Sequence, residues 1–140
     1  MAVNKDQAVL EWILGNPDNQ DAVLFNYLTG HNGAQSVVPI STSTAIEEYI
    51  DGTKKKEYDL ALQFMFSASE TTDDVNIQHM GMLRRWQDWI EEQERGGVYP
   101  DFGPDCMIFE VKNLNNNPEQ LNYGNDMTKL FFMVAIIYRE

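Results

Sequence analysis

The sequence predicts an α+β fold in which an antiparallel or mixed β-sheet carries helices packed on one face. Within the strand predicted at 53–66, the run from Tyr58 to Phe66 has an apolar residue at every second position, as expected of a strand with one wet side. The segment from Asp73 to Arg95 has apolar residues at helical spacing, and Leu130 to Tyr138 is apolar on both faces. With 140 residues the chain has the usual size of one domain, so we expect a single domain over residues 1–140.

The charge balance is strongly acidic. Twenty-two Asp and Glu residues against ten Lys and Arg give a net charge of −12 and a pI near 4.4. Such a surface repels phosphate backbones, which argues against sequence-specific DNA binding. The same charge is compatible with a surface past which DNA slides, because a negative lining prevents adsorption.

The cysteine content and the hydropathy of the sequence indicate the cellular compartment in which we expect the protein. Cys106 is the single cysteine, so the chain cannot form an intrachain disulfide or a four-thiolate metal site, and a reducing cytoplasm fits best. Glu11 interrupts the first apolar run, and no stretch approaches 18 apolar residues. We therefore expect neither secretion by a leader of this kind nor a membrane span.

The first third of the chain contains one helix and one β-prone run. Asn4 with Gln7 predicts the helix start, and Gly15-Asn16-Pro17 predicts its end. The run from Ser36 to Ser41 contains Pro39, which indicates an edge strand or a bulge.

A β-hairpin is the clearest local signal. Asp51-Gly52 predicts a two-residue type I′ turn between a strand at 45–50 and the strand at 53–66. The second strand carries one apolar row, formed by Tyr58, Leu60, Leu62, Phe64 and Phe66. Lys54, Lys55 and Lys56 follow the turn and are interpreted as a solvated end of the sheet that discourages edge pairing.

The second half of the sequence predicts a long helix and two strands. Thr71 and Thr72 are candidate caps for the helix, and Gly96-Gly97 predicts its end. Its apolar stripe comprises Ile77, Met80, Leu83, Trp86, Trp89 and Ile90. Strands are expected at 106–112 and 127–138, separated by an Asn-rich loop at 113–126.

No catalytic constellation is evident. Asp105 followed by Glu110 and Lys112 is similar to a Mg²⁺-dependent nuclease site, but four intervening residues leave no room for the turn between neighbouring strands, and the net charge opposes DNA binding. His31 and His79 lack a second His or Cys at ligand spacing. We therefore expect no enzyme activity, no catalytic residues, no cofactor and no metal.

The last strand then becomes the main candidate for function. Leu130, Phe132, Val134, Ile136 and Tyr138 face one way, and Phe131, Met133, Ala135 and Ile137 face the other. If helices cover a single sheet face, one row has no partner within the chain. That row is covered either by a second internal layer or by another subunit, and the sequence leaves both alternatives open.

The order and spacing of several segments resemble a known family. Tyr49-x-Asp51-Gly52 leads into Tyr58-x-Leu60-x-Leu62-x-Phe64-x-Phe66, followed by a polar linker with Asp73 to Asn76, a helix with Trp86 and Trp89, Gly97-x-x-Pro100, and the ending Ile136-Ile137-Tyr138-Arg139. In this order the chain resembles the tail terminator family of long-tailed phages and prophages, whose members often carry minor capsid or tail completion names. The Asn-rich stretch at 113–125 has no counterpart in the pattern.

The resemblance implies a tail-terminator-like fold and a structural role. Copies of the chain would form a ring, typically a hexamer, that caps the major tail tube protein, ends its polymerisation and forms the tail side of the joint with a head-tail connector protein. DNA would pass through the lumen without sequence-specific binding. The protein would be found in the virion tail, and in the host cytoplasm during assembly. A head-tail connector or stopper, or a minor capsid protein, is the alternative. Candidate subunit-interface residues are Lys54, Lys55, Lys56, Phe131, Met133 and Ile137.

Overall fold

The computed structural model describes residues 4–17, 23–25, 34–67, 73–115, 117–123 and 127–140. Their helices and strands are α1 (Lys5–Leu14), β1 (Val23–Phe25), β2 (Gln35–Glu48), β3 (Lys54–Ser67), α2 (Asp73–Gly96), β4 (Met107–Asn113), β5 (Glu119–Tyr123) and β6 (Met127–Arg139). The strands form one six-stranded sheet of order β1-β2-β3-β6-β4, and β5 also pairs with β6. Every pair is antiparallel except β1 with β2. The predicted α+β class is confirmed.

Both helices cover the same face of the sheet. Trp12 of α1 contacts Trp89 of α2 with ring centroids 5.2 Å apart, and Trp86 contacts Phe64 of β3 at 5.9 Å. The core cluster joins the two helices to the central strands. Its fully buried members include Val9, Ile13, Leu60, Leu62, Leu83, Ile90, Phe132 and Val134. Burying these side chains is the main favourable term in the stability of the domain.

The helix ends follow their sequence signals. The Asn4 side chain accepts a hydrogen bond from the Gln7 N–H at 3.1 Å and caps α1. After α2, Val98 N–H donates to the Gln93 carbonyl at 2.9 Å, while Gly97 adopts φ 66° and donates to the Glu94 carbonyl. This is a Schellman motif, which favours glycine at the left-handed position.

The predicted start of α2 and its apolar stripe are confirmed only in part. The candidate caps Thr71 and Thr72 lie outside the described residues. Leu83, Trp86 and Ile90 are fully buried, but Ile77 is 70% exposed, so the stripe reaches the core only after the first turns of the helix.

The β2–β3 hairpin is confirmed, but its turn differs from the prediction. Tyr49 N–H donates to the Thr53 carbonyl at 2.8 Å, which leaves a loop of Ile50, Asp51 and Gly52 instead of two residues. Gly52 has φ 89°, the left-handed conformation typical of the last position in a three-residue hairpin loop. The Asp51 carboxylate accepts hydrogen bonds from Thr53 and, at 2.7 Å, from Arg139, and these bonds lower the pKa of Asp51. The Asp51 side chain thus ties the three-residue loop to Thr53 and to the end of β6.

Strand β2 is irregular, as Pro39 indicates. Its pairing with β3 shifts register between Pro39 and Ser41, between Ser41 and Thr44, and between Ala45 and Glu47. Strand β1 pairs only with Gln35–Val37, so among the described residues β2 has no partner on its other side from Pro39 onward. Both predicted alternatives, an edge strand and a bulge, therefore hold.

The predicted Asn-rich loop at 113–126 is wrong, because part of this segment is a strand. Strands β4 and β5 pair successively along the same edge of β6, since β3 occupies its other edge throughout. Between them, Leu114 N–H donates to the Met133 carbonyl at 2.8 Å, and the Asn115 side-chain oxygen accepts from the Met133 N–H at 2.7 Å. An asparagine side chain thus continues the ladder where the backbone leaves it.

Candidate functional site

The row of β6 that faces the helices is buried. Leu130, Phe132, Val134, Ile136 and Tyr138 are each at most 4% exposed. Phe102, from the connection after α2, covers the end of this row, with its ring 5.2 Å from Tyr138 and 6.0 Å from Tyr58. This row is therefore buried within the chain and offers no surface to a partner.

The opposite row lies on the outer face, which we define as the sheet face away from the helices. Phe131 and Met133 are half-buried there, and Lys129 Nζ lies 5.7 Å from the Phe131 ring. Ala135 and Ile137 are only 0% and 3% exposed. Phe131 and Met133 thus remain accessible interface candidates. Ile137 does not, since its side chain has almost no free surface.

The burial of Ile137 has a structural reason in its neighbours. Lys55 of β3 and Phe109 of β4 lie on opposite sides of β6, yet Lys55 Nζ is 5.9 Å from the Phe109 ring. These two side chains therefore approach each other across the end of β6, close in register to Ile137. The cation–π contact that joins them supplements the burial of the isoleucine.

Charged residues surround this end of the outer face. Asp59 and Lys112 flank Ala135, and Glu57 and Glu110 flank Ile137. Burial, followed by the hydrogen bond and charge of Glu57, raises the pKa of Asp59 to about 6, while Lys112 opposes the shift. The outer face therefore combines an acidic end with the half-buried apolar pair Phe131 and Met133.

The three lysines after the hairpin have separate environments. Lys54 has an exposed side chain, and its backbone pairs with Glu140 through bonds of 2.9 and 3.0 Å. Lys55 covers the outer face, and Lys56 Nζ lies 3.1 Å from the Glu140 carboxylate. Only Lys54 matches the predicted solvated end, so the three residues do not form one basic patch.

Glu140 joins α1 to the sheet. Its carboxylate lies 2.8 Å from Lys5 Nζ and also accepts a hydrogen bond from Cys106 Sγ at 3.1 Å. The hydrogen bonds from Lys5, Cys106 and Lys56 lower the pKa of Glu140 to about 2. Burial and the neighbouring carboxylate raise the pKa of Cys106 to about 11, so its thiol stays protonated at neutral pH. The cluster is suited to holding the fold and not to nucleophilic chemistry.

A groove of about 700 Å³ lies between α2 and β4. Glu94 crosses it, accepting from the backbone N–H of Val111 at 2.9 Å and from the Tyr99 hydroxyl at 2.6 Å. Gln87 of α2 donates to the Asn115 carbonyl at 3.0 Å, and its own carbonyl accepts from the Asn113 side chain at 3.0 Å. The helix thereby occupies hydrogen-bonding groups on the β4 edge, a recognised protection against unwanted strand pairing.

The structure separates the residues considered for a nuclease site. Glu110 and Lys112 line the groove beside α2, with 4.0 Å between their charged atoms and about half of each side chain exposed. Asp105 lines a different groove, together with Cys106 and Glu140. In the part of the chain that the structure describes, no group of three or more His, Cys, Asp and Glu side chains could hold a metal ion. His31 lies outside this part.

Sequence reasoning missed two sets of residues. Asn115 acts as a ladder acceptor, although its position in a run of asparagines suggested a loop. The exposed isoleucines Ile40 and Ile46 each lie at a register shift of β2. Pro39 was the signal available for the first shift, and the sequence carries no comparable signal for the second.

No protein-family model matches this sequence, and no curated protein matches it either. None of the described helices combines the length and the apolar character needed to cross a bilayer.

Proposed function

We propose that this chain is the tail terminator of a phage or prophage, a structural protein that forms a ring on the end of the tail tube. The observation that carries the proposal is the one-sided arrangement of the sheet. Both helices lie on one face, and Phe131 and Met133 keep free surface on the other. The order and spacing of the segments that resemble the tail terminator family are the reason why we propose a terminator ring.

The outer face has the chemistry of a subunit contact. Phe131 and Met133 are apolar and half-buried, and a second subunit would bury them fully. Lys54, at the edge of the hairpin, is the lysine of the turn that remains exposed and can pair with an acidic neighbour. A closed ring needs heterologous contacts, in which different surfaces of adjacent copies meet.

The charge of the chain supports a lumen through which DNA passes. A net charge of −12 on every copy repels the phosphate backbone, so DNA would slide past without adsorbing. The proposed role requires no catalysis, cofactor or metal. The partners would be other copies of the chain, the major tail tube protein and the head-tail connector protein.

Deleting the coding gene from the phage or prophage tests the role directly. Loss of a terminator should give tail tubes longer than those of the parent, because nothing stops polymerisation. Loss of a connector or stopper should instead give tails of parental length with unjoined heads. Electron microscopy distinguishes the outcomes, and joined virions with parental tails would refute both roles.

A variant pair tests the surface. Met133→Glu should prevent ring formation, since a charge would be buried in the contact. Glu92→Gln, on the exposed side of α2, is the control and should leave rings intact. Negative-stain microscopy and light scattering report assembly, and circular dichroism verifies the fold. Rings formed equally well by both variants would show that Met133 is not in the interface.

A further inference from the structure

The turn of the β2–β3 hairpin contains a peptide bond that is chemically prone to rearrangement. Asp51-Gly52 is the only Asp-Gly pair in the sequence. Glycine has no side chain to shield its backbone nitrogen, which can therefore approach the carboxyl carbon of the preceding aspartate. Both residues are exposed, and a Cβ added to Gly52 would meet no heavy atom within 4 Å. Water therefore has free access to this bond.

The rearrangement of an Asp-Gly bond passes through a succinimide ring. The Gly52 nitrogen bonds to the Asp51 side-chain carboxyl carbon, and the proton of this nitrogen leaves with the carboxyl hydroxyl as water. Water then opens the ring. If it breaks the bond between the nitrogen and the Asp51 backbone carbonyl carbon, the main chain continues through the side-chain carbonyl, and isoaspartate results. The mass of the chain is unchanged, but its backbone is one carbon longer.

Both oxygens of the Asp51 carboxylate are occupied in the folded chain. Oδ1 accepts hydrogen bonds from the Thr53 N–H at 3.0 Å and from the Thr53 hydroxyl at 2.6 Å. Oδ2 accepts from Arg139 Nη2 at 2.7 Å. These bonds lower the pKa of Asp51, with Thr53 as the larger cause and Arg139 as the smaller. The carboxyl therefore stays ionised at neutral pH and has no hydroxyl to lose as water.

The groups around this carboxylate are themselves held in place. Arg139 Nε donates to the Thr53 hydroxyl at 2.8 Å, and the central carbon of the Arg139 guanidinium lies 4.2 Å from the centroid of the Tyr49 ring. The Gly52 N–H, which would lose its proton in the reaction, donates to the Tyr49 carbonyl at 3.0 Å. Ring closure therefore requires both reacting groups to leave their partners.

We propose that Asp51-Gly52 is a modification site at which isoaspartate forms once the bonds from Thr53 and Arg139 are lost, and that these bonds suppress the reaction in the folded chain. Burial does not provide the protection, because the Asp51 side chain is 56% exposed. Isoaspartate would add a backbone carbon to a loop whose ends, Tyr49 and Thr53, are joined by a bond of 2.8 Å. The inference does not depend on the proposed ring.

Ageing of the purified chain tests the proposal. The wild type, Arg139→Gln and Thr53→Val are incubated at neutral pH, at one temperature well below the Tm of every variant. Electron-transfer fragmentation of the digested protein then quantifies isoaspartate at position 51. Arg95→Gln removes the same charge from an exposed position of α2, and Gly97→Ala destabilises the fold away from the hairpin, so these two variants are the controls. Circular dichroism verifies that each variant is folded.

We expect Arg139→Gln to form isoaspartate at position 51 about two- to fivefold faster than the wild type, the range expected from the loss of one exposed ion pair. Thr53→Val should be at least as fast, because it loses the 2.6 Å bond to Asp51 and the acceptor of Arg139 Nε. Both controls should match the wild type, and wild type unfolded in guanidinium should exceed every folded chain.

Two results would overturn the proposal. Equal rates in the wild type, Arg139→Gln and Thr53→Val would show that the bonds to Asp51 give no protection. Acceleration by Gly97→Ala as large as that by Arg139→Gln would show that global unfolding limits the reaction, and not the local contacts of Asp51.

Discussion

Replacing Asn115 by alanine should destabilise the sheet through a single lost acceptor. The side-chain oxygen lies 2.7 Å from the Met133 N–H, between the end of β4 and the start of β5. Alanine leaves that donor without a protein partner. An unsatisfied buried donor costs about 1–3 kcal/mol, and because Met133 is half-buried we expect about 1–1.5 kcal/mol. For a chain of this size, that corresponds to a fall in Tm of about 3–6 °C.

Two further variants make the test specific. Asn115→Asp retains an oxygen at the same position and should recover most of the loss, whereas Asn117→Ala, in the same segment but exposed, should change the free energy of unfolding by less than about 0.5 kcal/mol. Urea denaturation followed by tryptophan fluorescence measures all three. If Asn115→Ala and Asn117→Ala unfold at the same urea concentration, the side-chain bond does not stabilise the ladder.

Three other substitutions probe charges and a helix end. The pKa of Glu140 is lowered to about 2 in the folded chain, so its carboxylate stabilises the fold above the ordinary pKa of 4.5. This stabilisation is lost as the pH falls towards 2. Glu140→Gln should therefore reduce the fall in Tm between pH 4.5 and pH 2. The pKa of Asp59 is raised to about 6, so stability falls as the pH rises from 3.8 through 6, and Asp59→Asn should raise Tm at pH 7 more than at pH 4. Gly97→Ala should cost about 1 kcal/mol because φ is 66°, whereas Gly96→Ala, in the helix, should be neutral or stabilising; equal calorimetric Tm values for the two would contradict the cap.

Much of the fold is predictable because its signals are short-range. Asn4 caps α1 through a residue three positions away, and Gly97 closes α2 within one turn. The alternation of β3 is equally local, since period two places its apolar row against the helices wherever the partner strands lie. These elements need no knowledge of the tertiary structure.

The features that were not predicted depend on distant partners. Asn115 has the composition of a turn residue, and its role as an acceptor is decided by Met133, 18 positions away. Ile137 has the alternation of an exposed residue, but β3 and β4 both pair with β6 at this position, and it is 3% exposed. Phe131 and Met133 keep exposed surface, whereas Ile137 is 3% exposed, and the assignment of these residues to a subunit interface stays a prediction.

The treatment of the two sheet margins bears on how a terminating ring could assemble. Open strand edges that pair through the backbone can add copies without limit, which is the opposite of what a terminator requires. Here Pro39 and the bulges interrupt one margin, and Glu94 holds a backbone donor of the other. Backbone pairing is therefore interrupted at these points of both margins, which is consistent with the finite ring proposed above.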